Sequence, residues 1–284
     1  MSYVKPDQVV EAMIQAGTAK SLLPVKQLLL RGFLGGAILG FATTLAFQAT
    51  VQTKIGMVGA LVFPVGFVMI ILLGLELVTG NFALIPVSVM EGKAKASAML
   101  RNWSWVFVGH VIGAAFYGLL YYIAATKMGH VGDDAVGAMI IKTAEAKTNG
   151  YSSLGFDGMI TVFVKAVLCN WMVCLGAVMA MTSQSTGGKI AAMWLPILTF
   201  FGQGFEHSVV NMFVIPTGMM MGAKVSFADW WLWNQIPVTL GNLAGGFLFT
   251  GLALYLTQKK RAAAPAVVPA AADTSASPSI AKHA

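Results

Sequence analysis

Apolar residues in this chain fall on consecutive positions rather than in alternation, and they gather into six stretches, near 31–49, 56–90, 104–126, 158–183, 189–221 and 234–257. A helix crosses a hydrocarbon core in ~20 residues, so each stretch is long enough to span a membrane. The second and fifth exceed one simple crossing and carry polar residues in mid-run, ELVTGN at 76–81 and FEHSVVN at 205–211. Both are predicted to be broken helices. A membrane barrel needs strands that alternate apolar and polar positions, which these runs do not. The expected fold class is therefore an all-α integral membrane protein with six transmembrane helices.

The stretches repeat. Asn102, Gly109 and Gly113 of the third return as Asn234, Gly241 and Gly245 of the sixth, and His110 falls on Asn242. LELVTGN at 75–81 aligns with FEHSVVN, setting Glu76 on Glu206 and Asn81 on Asn211. Two halves of three spans each must enter the membrane in opposite directions, giving an inverted repeat about an axis in the membrane plane. In such architectures the broken helices meet near the bilayer middle, and their free backbone groups line a substrate path. The organisation expected is an amphipathic N-terminal helix at the membrane surface (1–26), a first repeat (27–126), an extracytoplasmic loop (127–156), a second repeat (157–258) and a disordered tail (259–284).

Composition supports a membrane class: 57% of residues are hydrophobic and 10% charged, where soluble domains carry about 25% charged. The formal charge of +7 calls for no nucleic-acid partner, because it follows topology. With both termini inside, twelve Lys and Arg lie in inner segments and five in outer ones, as retention of positive residues in the cytoplasm requires. Pro6, Asp7 and Glu11 precede any apolar run, so no cleavable signal is expected, and the cytoplasmic (inner) membrane is the location inferred. Cys169 and Cys174 share one span and read as packing residues. No cofactor or metal is implied, since the histidines at 110, 130, 207 and 283 are scattered and form no HExxH pair; a membrane enzyme is disfavoured on that ground. The lack of paired Asn-Pro-Ala boxes disfavours a water or polyol channel.

Ionisable groups cost at least ~2.5 kcal/mol at the centre of a bilayer, so Glu76, Lys165, Glu206, His207 and, if it lies as deep, His110 each need a partner or an aqueous cavity. His207 lies in a helix break, where an imidazole can give or take a proton near physiological pH. A carboxylate facing an anion would repel it, so Glu76 and Glu206 are expected to accept hydrogen bonds from freed backbone N–H groups instead. Thr79 and Asn81, beside Gly80, read either as anion contacts or as capping residues. Lys165 reads either as a partner for a glutamate or as an attractor of anions in a vestibule. Phe63, Phe67, Phe200 and Phe205 flank the breaks as candidate hydrophobic constrictions. Trp230, Trp231 and Trp233 suit a membrane interface.

GLELVTGN at 74–81, NW at 102–103, KAVLCNWMVCLG at 165–176, GFEHSVVNMFVIPTG at 204–218 and IPVTLGNLAGG at 236–246 together resemble the formate/nitrite transporter family over nearly all of residues 1–258. The resemblance implies an aquaporin-like fold assembled as a homopentamer, each protomer with a pore for small monovalent anions. It implies that His207 is the central pore histidine and Thr79 its hydrogen-bonding companion, that Glu206 and Asn211 order the second break, and that Lys147 is the vestibule lysine. Asn170 joins these pore residues. Phe63 and Phe200 match an outer constriction, and Phe67 and Leu77 an inner one. NMFVIPTG resembles formate-type members, so formate is the expected substrate, with nitrite or hydrosulfide as the alternative.

Overall fold

The computed structural model describes residues 3–132 and 134–259, and the tail expected to be disordered lies outside them. Every extended element among the described residues is helical: α1 (Pro6–Ser21), α2 (Val25–Thr53), α3 (Gly56–Val62), α4 (Pro64–Leu72), α5 (Val78–Met90), α6 (Ala96–Thr126), α7 (Ala135–Ala146), α8 (Asn149–Ser152), α9 (Gly155–Met179), α10 (Thr186–Gly202) and α11 (Ser208–Met220). The last, α12 (Phe227–Gln258), contains two π-helical turns, Trp231–Gln235 and Phe247–Leu252. Among the described residues four helices are long and apolar enough to cross a membrane by themselves: α2, α6, α12 and the run Gly155–Thr182 that contains α9.

The two overlong apolar runs stop and restart in the same way. After α4, Gly74 takes φ +63°, Leu75 N–H bonds Ile70 O at 3.0 Å and Gly74 N–H bonds Ile71 O at 3.2 Å. After α10, Gly204 takes φ +65°, with Phe205 N–H to Phe200 O at 3.2 Å and Gly204 N–H to Phe201 O at 3.0 Å. These are Schellman-type ends, in which a left-handed glycine lets the last carbonyls find donors. The chain then extends through Leu77 (φ −135°, ψ 110°) and His207 (φ −113°, ψ 118°) before α5 and α11 begin. Short polar side chains and a glycine at these points do what an apolar, β-branched stretch would not.

Within each half the long helices are joined along glycine faces. A Cβ on Gly113 would collide with the backbone of Phe33, so α6 rides directly on α2, and Gly245 stands in the same relation to Val167, joining α12 to α9. Without a hydrophobic drive between helices in lipid, such close approach supplies the dispersion contact that holds them.

Two further helices complete the halves. α1 buries Val9, Val10, Met13 and Ile14 against Leu84 and Val87 of α5 and Val178 of α9, so the N-terminal helix packs on the body of the protein. The segment 127–156, read from the sequence as a loop, contains α7 and α8, and Val136, Ile140 and Ala144 of α7 enter the main core beside α11. Its periodic apolar positions carry no contrast in a chain this hydrophobic.

At the end of α12, Lys259 pairs with Glu91, which also accepts a hydrogen bond from Tyr255. The Lys259 hydrogen bond, then that from Tyr255, holds the Glu91 carboxyl below the usual carboxylate range. A depressed carboxyl stabilises above its ordinary range and loses that contribution as pH falls through its folded value. Such a near-surface contact is worth no more than about 1 kcal/mol. The protection factors of the amides at 253–258, with intrinsic pH dependence removed, should therefore hold at neutral pH and fall by up to about fivefold only below the ordinary carboxylate range, while in Glu91→Gln they should be lowered by a similar factor across the whole interval.

Candidate functional site

α5 and α11 both start in the interior of the molecule, and their first turns meet. Thr79 Oγ1 lies 3.2 Å from His207 Nε2. Val210 N–H donates to His207 Nδ1 at 3.3 Å. A backbone N–H can only donate, so Nδ1 accepts, and the neutral ring carries its proton on Nε2 and gives it to the Thr79 oxygen. The Thr79 hydroxyl hydrogen is then free to point elsewhere. The Thr79 carbonyl is tied to the second half by Asn170 Nδ2 at 3.0 Å and by the Cys174 thiol at 3.2 Å, and Asn170 also donates to Asn242 O at 2.6 Å. Asn170 thus joins the two halves, and Cys174 is more than filler.

Each buried glutamate is fully engaged. Glu206 accepts from Lys147 at 2.7 Å, Asn211 at 2.8 Å, Asn234 at 3.4 Å and the Tyr151 hydroxyl at 2.7 Å. Glu76 accepts from Lys20 at 2.7 Å, Asn81 at 2.6 Å and Asn102 at 3.4 Å. The correspondence extends to second contacts: Asn211 and Asn81 each donate to the facing Asn234 or Asn102 at 2.8 Å, and those two donate to the carbonyls of Lys147 at 2.8 Å and Lys20 at 3.1 Å. Neither carboxylate receives the freed backbone N–H groups expected of it. Side-chain amides and a lysine take that place, and the free N–H groups go to other acceptors, Val78 to His110 Nε2 at 3.0 Å and Ser208 to Asn242 Oδ1 at 2.9 Å.

Around this centre sit the aromatic rings. Phe200 lies over His207 with centroids 5.6 Å apart, and Phe63 meets Phe200 edge-on at 5.7 Å and stacks on Phe201 at 3.9 Å. Phe67 and Leu77 are buried in the same core cluster. On the side of α7 and α8 opens a cavity of 860 Å³ whose walls include Lys142, Lys147, Lys165, Tyr151, Gly204 and Glu206. Lys147 is committed to Glu206. Lys165 stands 5.8 Å over the Tyr151 ring and makes no ion pair with any described residue.

Three kinds of residue were given no role at this site from the sequence. Lys20 counted there only toward the charge of one side, and Tyr151 lay in a presumed loop. Asn102, Asn234 and Asn242 were visible in the repeat, but only as markers of it, and His110 was visible there and as an ionisable group in need of a partner, with no role assigned. The signal that could have found them was the repeat itself, since polar residues recurring at matched places in two apolar helices need partners inside.

A membrane protein built from two such halves, with helix starts meeting at a polar centre, belongs to the class of channels and transporters. The chain matches the formate/nitrite transporter family over residues 7–256 and is a member of it. It is 36% identical over 270 residues to an uncharacterized transporter of Bacillus subtilis, covering 92% of this chain and 96% of the relative. It is 34% identical over 276 residues to a protein of Methanothermobacter thermautotrophicus named as a probable formate transporter, covering 91% of this chain and 98% of the relative. Among solved structures, a pentameric formate channel with formate bound superimposes with a TM-score of 0.66 at 25% identity, covering 82% of this chain and 96% of the other. These relatives are transporters and channels, not enzymes.

Removing one partner of a buried ion pair strands the other, at a cost of about 3–5 kcal/mol. Glu206→Gln should therefore lower the thermal unfolding midpoint of purified protein markedly. Glu206→Gln with Lys147→Met should recover part of that loss.

Proposed function

We propose that this protein is a channel for formate or a similar small monovalent anion across the cytoplasmic membrane, working as a pentamer in which each protomer has its own pore. The chain crosses the membrane six times in this reading, through α2, the α3–α5 run, α6, α9, the α10–α11 run and α12, with both termini in the cytoplasm. The meeting of two helix starts at Thr79 and His207 carries the reading. Helix N-termini present unpaired N–H groups and the positive end of the helix dipole, which favour an anion. Both carboxylates nearby are neutralised by lysines, so nothing there repels one.

Lys165 is the cation that draws the anion into the vestibule, because Lys147 is already neutralised by Glu206. The Phe63–Phe200 constriction then strips water from it. At the centre the anion receives the Thr79 hydroxyl hydrogen, and the Thr79–His207 pair shares a proton with it. Sharing a proton removes most of the charge cost of a dry slit. Asn211 and Glu206 hold the start of α11, Asn170 holds that of α5, and Phe67 and Leu77 form the inner constriction.

The reading is tested by uptake of formate, nitrite, lactate and hydrosulfide into liposomes at one neutral and one acidic pH. Formate should enter fastest and faster at the acidic pH, and His207→Asn should change that pH dependence. Lys165→Met should raise the half-saturating formate concentration more than it lowers the maximal rate, and added salt should shrink the difference. A preference for nitrite would make that anion the substrate, and no flux of any of the four would overturn the proposal.

A further inference from the structure

His110 is fully buried and plays no part in the passage described above. Its ring is fixed by two bonds of unambiguous polarity. Gly32 O can only accept, so Nδ1, 2.7 Å away, carries the proton; Val78 N–H can only donate, so Nε2, 3.0 Å away, is the acceptor. Only the neutral ring with its proton on Nδ1 satisfies both.

The matching place in the other half holds Asn242. Its Oδ1 accepts Ser208 N–H, the first free N–H of α11, at 2.9 Å, and its Nδ2 donates to Ala166 O at 2.8 Å and Glu206 O at 2.9 Å. His110 performs the same first task for α5 through Val78, and its Nδ1 bond to Gly32 O on α2 corresponds to the bond from Asn242 to Ala166 on α9. An imidazole has a single donor, already used on Gly32, so it offers nothing to the Glu76 carbonyl. The room for a ring comes from α2, where a Cβ on Gly36 would strike the His110 backbone and one on Gly35 would crowd its imidazole.

We infer that His110 is a positioning residue for the pore: by accepting Val78 N–H it fixes the start of α5 and so sets the Thr79 hydroxyl against His207. Thr79 is then held from both sides, through Val78 by His110 and at its own carbonyl by Asn170 and Cys174. The inference rests on the proposed reading of Thr79 and His207 as the anion's centre. It makes His110 and Asn242 functional equivalents despite their different chemistry.

Full-length wild-type protein, His110→Asn, His110→Leu, Thr79→Ala and His110→Leu/Thr79→Ala are purified, checked for assembly by size exclusion, and compared for formate uptake in liposomes. Asn can present the same acceptor, so His110→Asn should keep flux within about twofold of wild type, whereas His110→Leu should lose about tenfold or more, the scale set by leaving a buried N–H without an acceptor. The double variant should be no slower than the slower single one, because both changes disable the same group. Full flux in His110→Leu, or losses that multiply, would overturn the inference. If His110→Leu does not assemble, an assembled His110→Asn protein that loses about tenfold in flux overturns it by the same criterion, and one that keeps its flux supports it. A second readout needs no transport: amide exchange in peptides covering 75–82 and 205–211. Faster exchange in 75–82 alone, in whichever variant at 110 lacks an acceptor, supports the role, and unchanged exchange there overturns it. Wild type that moves no anion, together with this selective exchange in the variant, would reject the proposed function and leave His110 as the holder of α5.

Discussion

Two interrupted helices inside a medium without water create a debt of unpaired backbone groups, and most of the polar chemistry of this protein answers it. Each helix start exposes N–H groups that cost several kcal/mol apiece if left alone in an apolar surrounding. The remedies come from the last long helix of each half: His110 on α6 takes Val78 N–H, and Asn242 on α12 takes Ser208 N–H. The preceding helix ends are closed separately by glycine-terminated turns at Gly74 and Gly204. An interruption is tolerable here because the first N–H of each new helix and the turn that closes the preceding one find partners within the fold.

The charged groups follow from the same constraint. Glu76 and Glu206 are nearly inaccessible, with relative exposures of 1% each, and a lone carboxylate there would not stay ionised. A lysine and two asparagines surround each, and the lysines come from the last turn of α1 and the residue after α7, the two helices that precede the long helices of their halves. Buried ion pairs are poor sources of stability because desolvation offsets their attraction. Their value is geometric, since Asn81 and Asn211 lie in the first turns of α5 and α11 and can make these contacts only in one register. Local positive potential from the helix starts is thereby kept for the centre, where Thr79 and His207 touch.

The halves are alike in backbone and in most contacts, and they differ at a few positions. Position 77 is leucine where 207 is histidine, so the polar centre is built from one imidazole and one hydroxyl offset by two residues. Glu206 gains a fourth partner, Tyr151, absent from the first half, and the cavity lined by Lys165, which has no acid partner among the described residues, lies on that side. A repeated scaffold thus carries an asymmetric centre.

The sequence by itself determined the helical class, the places where helices must break, and the twofold repeat, because each depends on local features: the length of an apolar run, polar residues within it, and recurrence of Asn and Gly at a fixed offset. It also marked His207, Thr79 and Glu206, since ionisable or hydroxyl groups in mid-span are conspicuous against so apolar a background. Only the tertiary structure decided which partners they have. Lys20 and Glu76 are 56 residues apart and Lys147 and Glu206 are 59, and no local pattern ties such residues together. The helices α7 and α8 were hidden for a different reason: α7 has ordinary amphipathic periodicity, and in a chain this apolar it carries no contrast. The division of labour between Lys147 and Lys165, one paired and one without an acid partner among the described residues, came from packing alone, because a lysine's charge is read from its letter but its partner is set by which helix lies beside it.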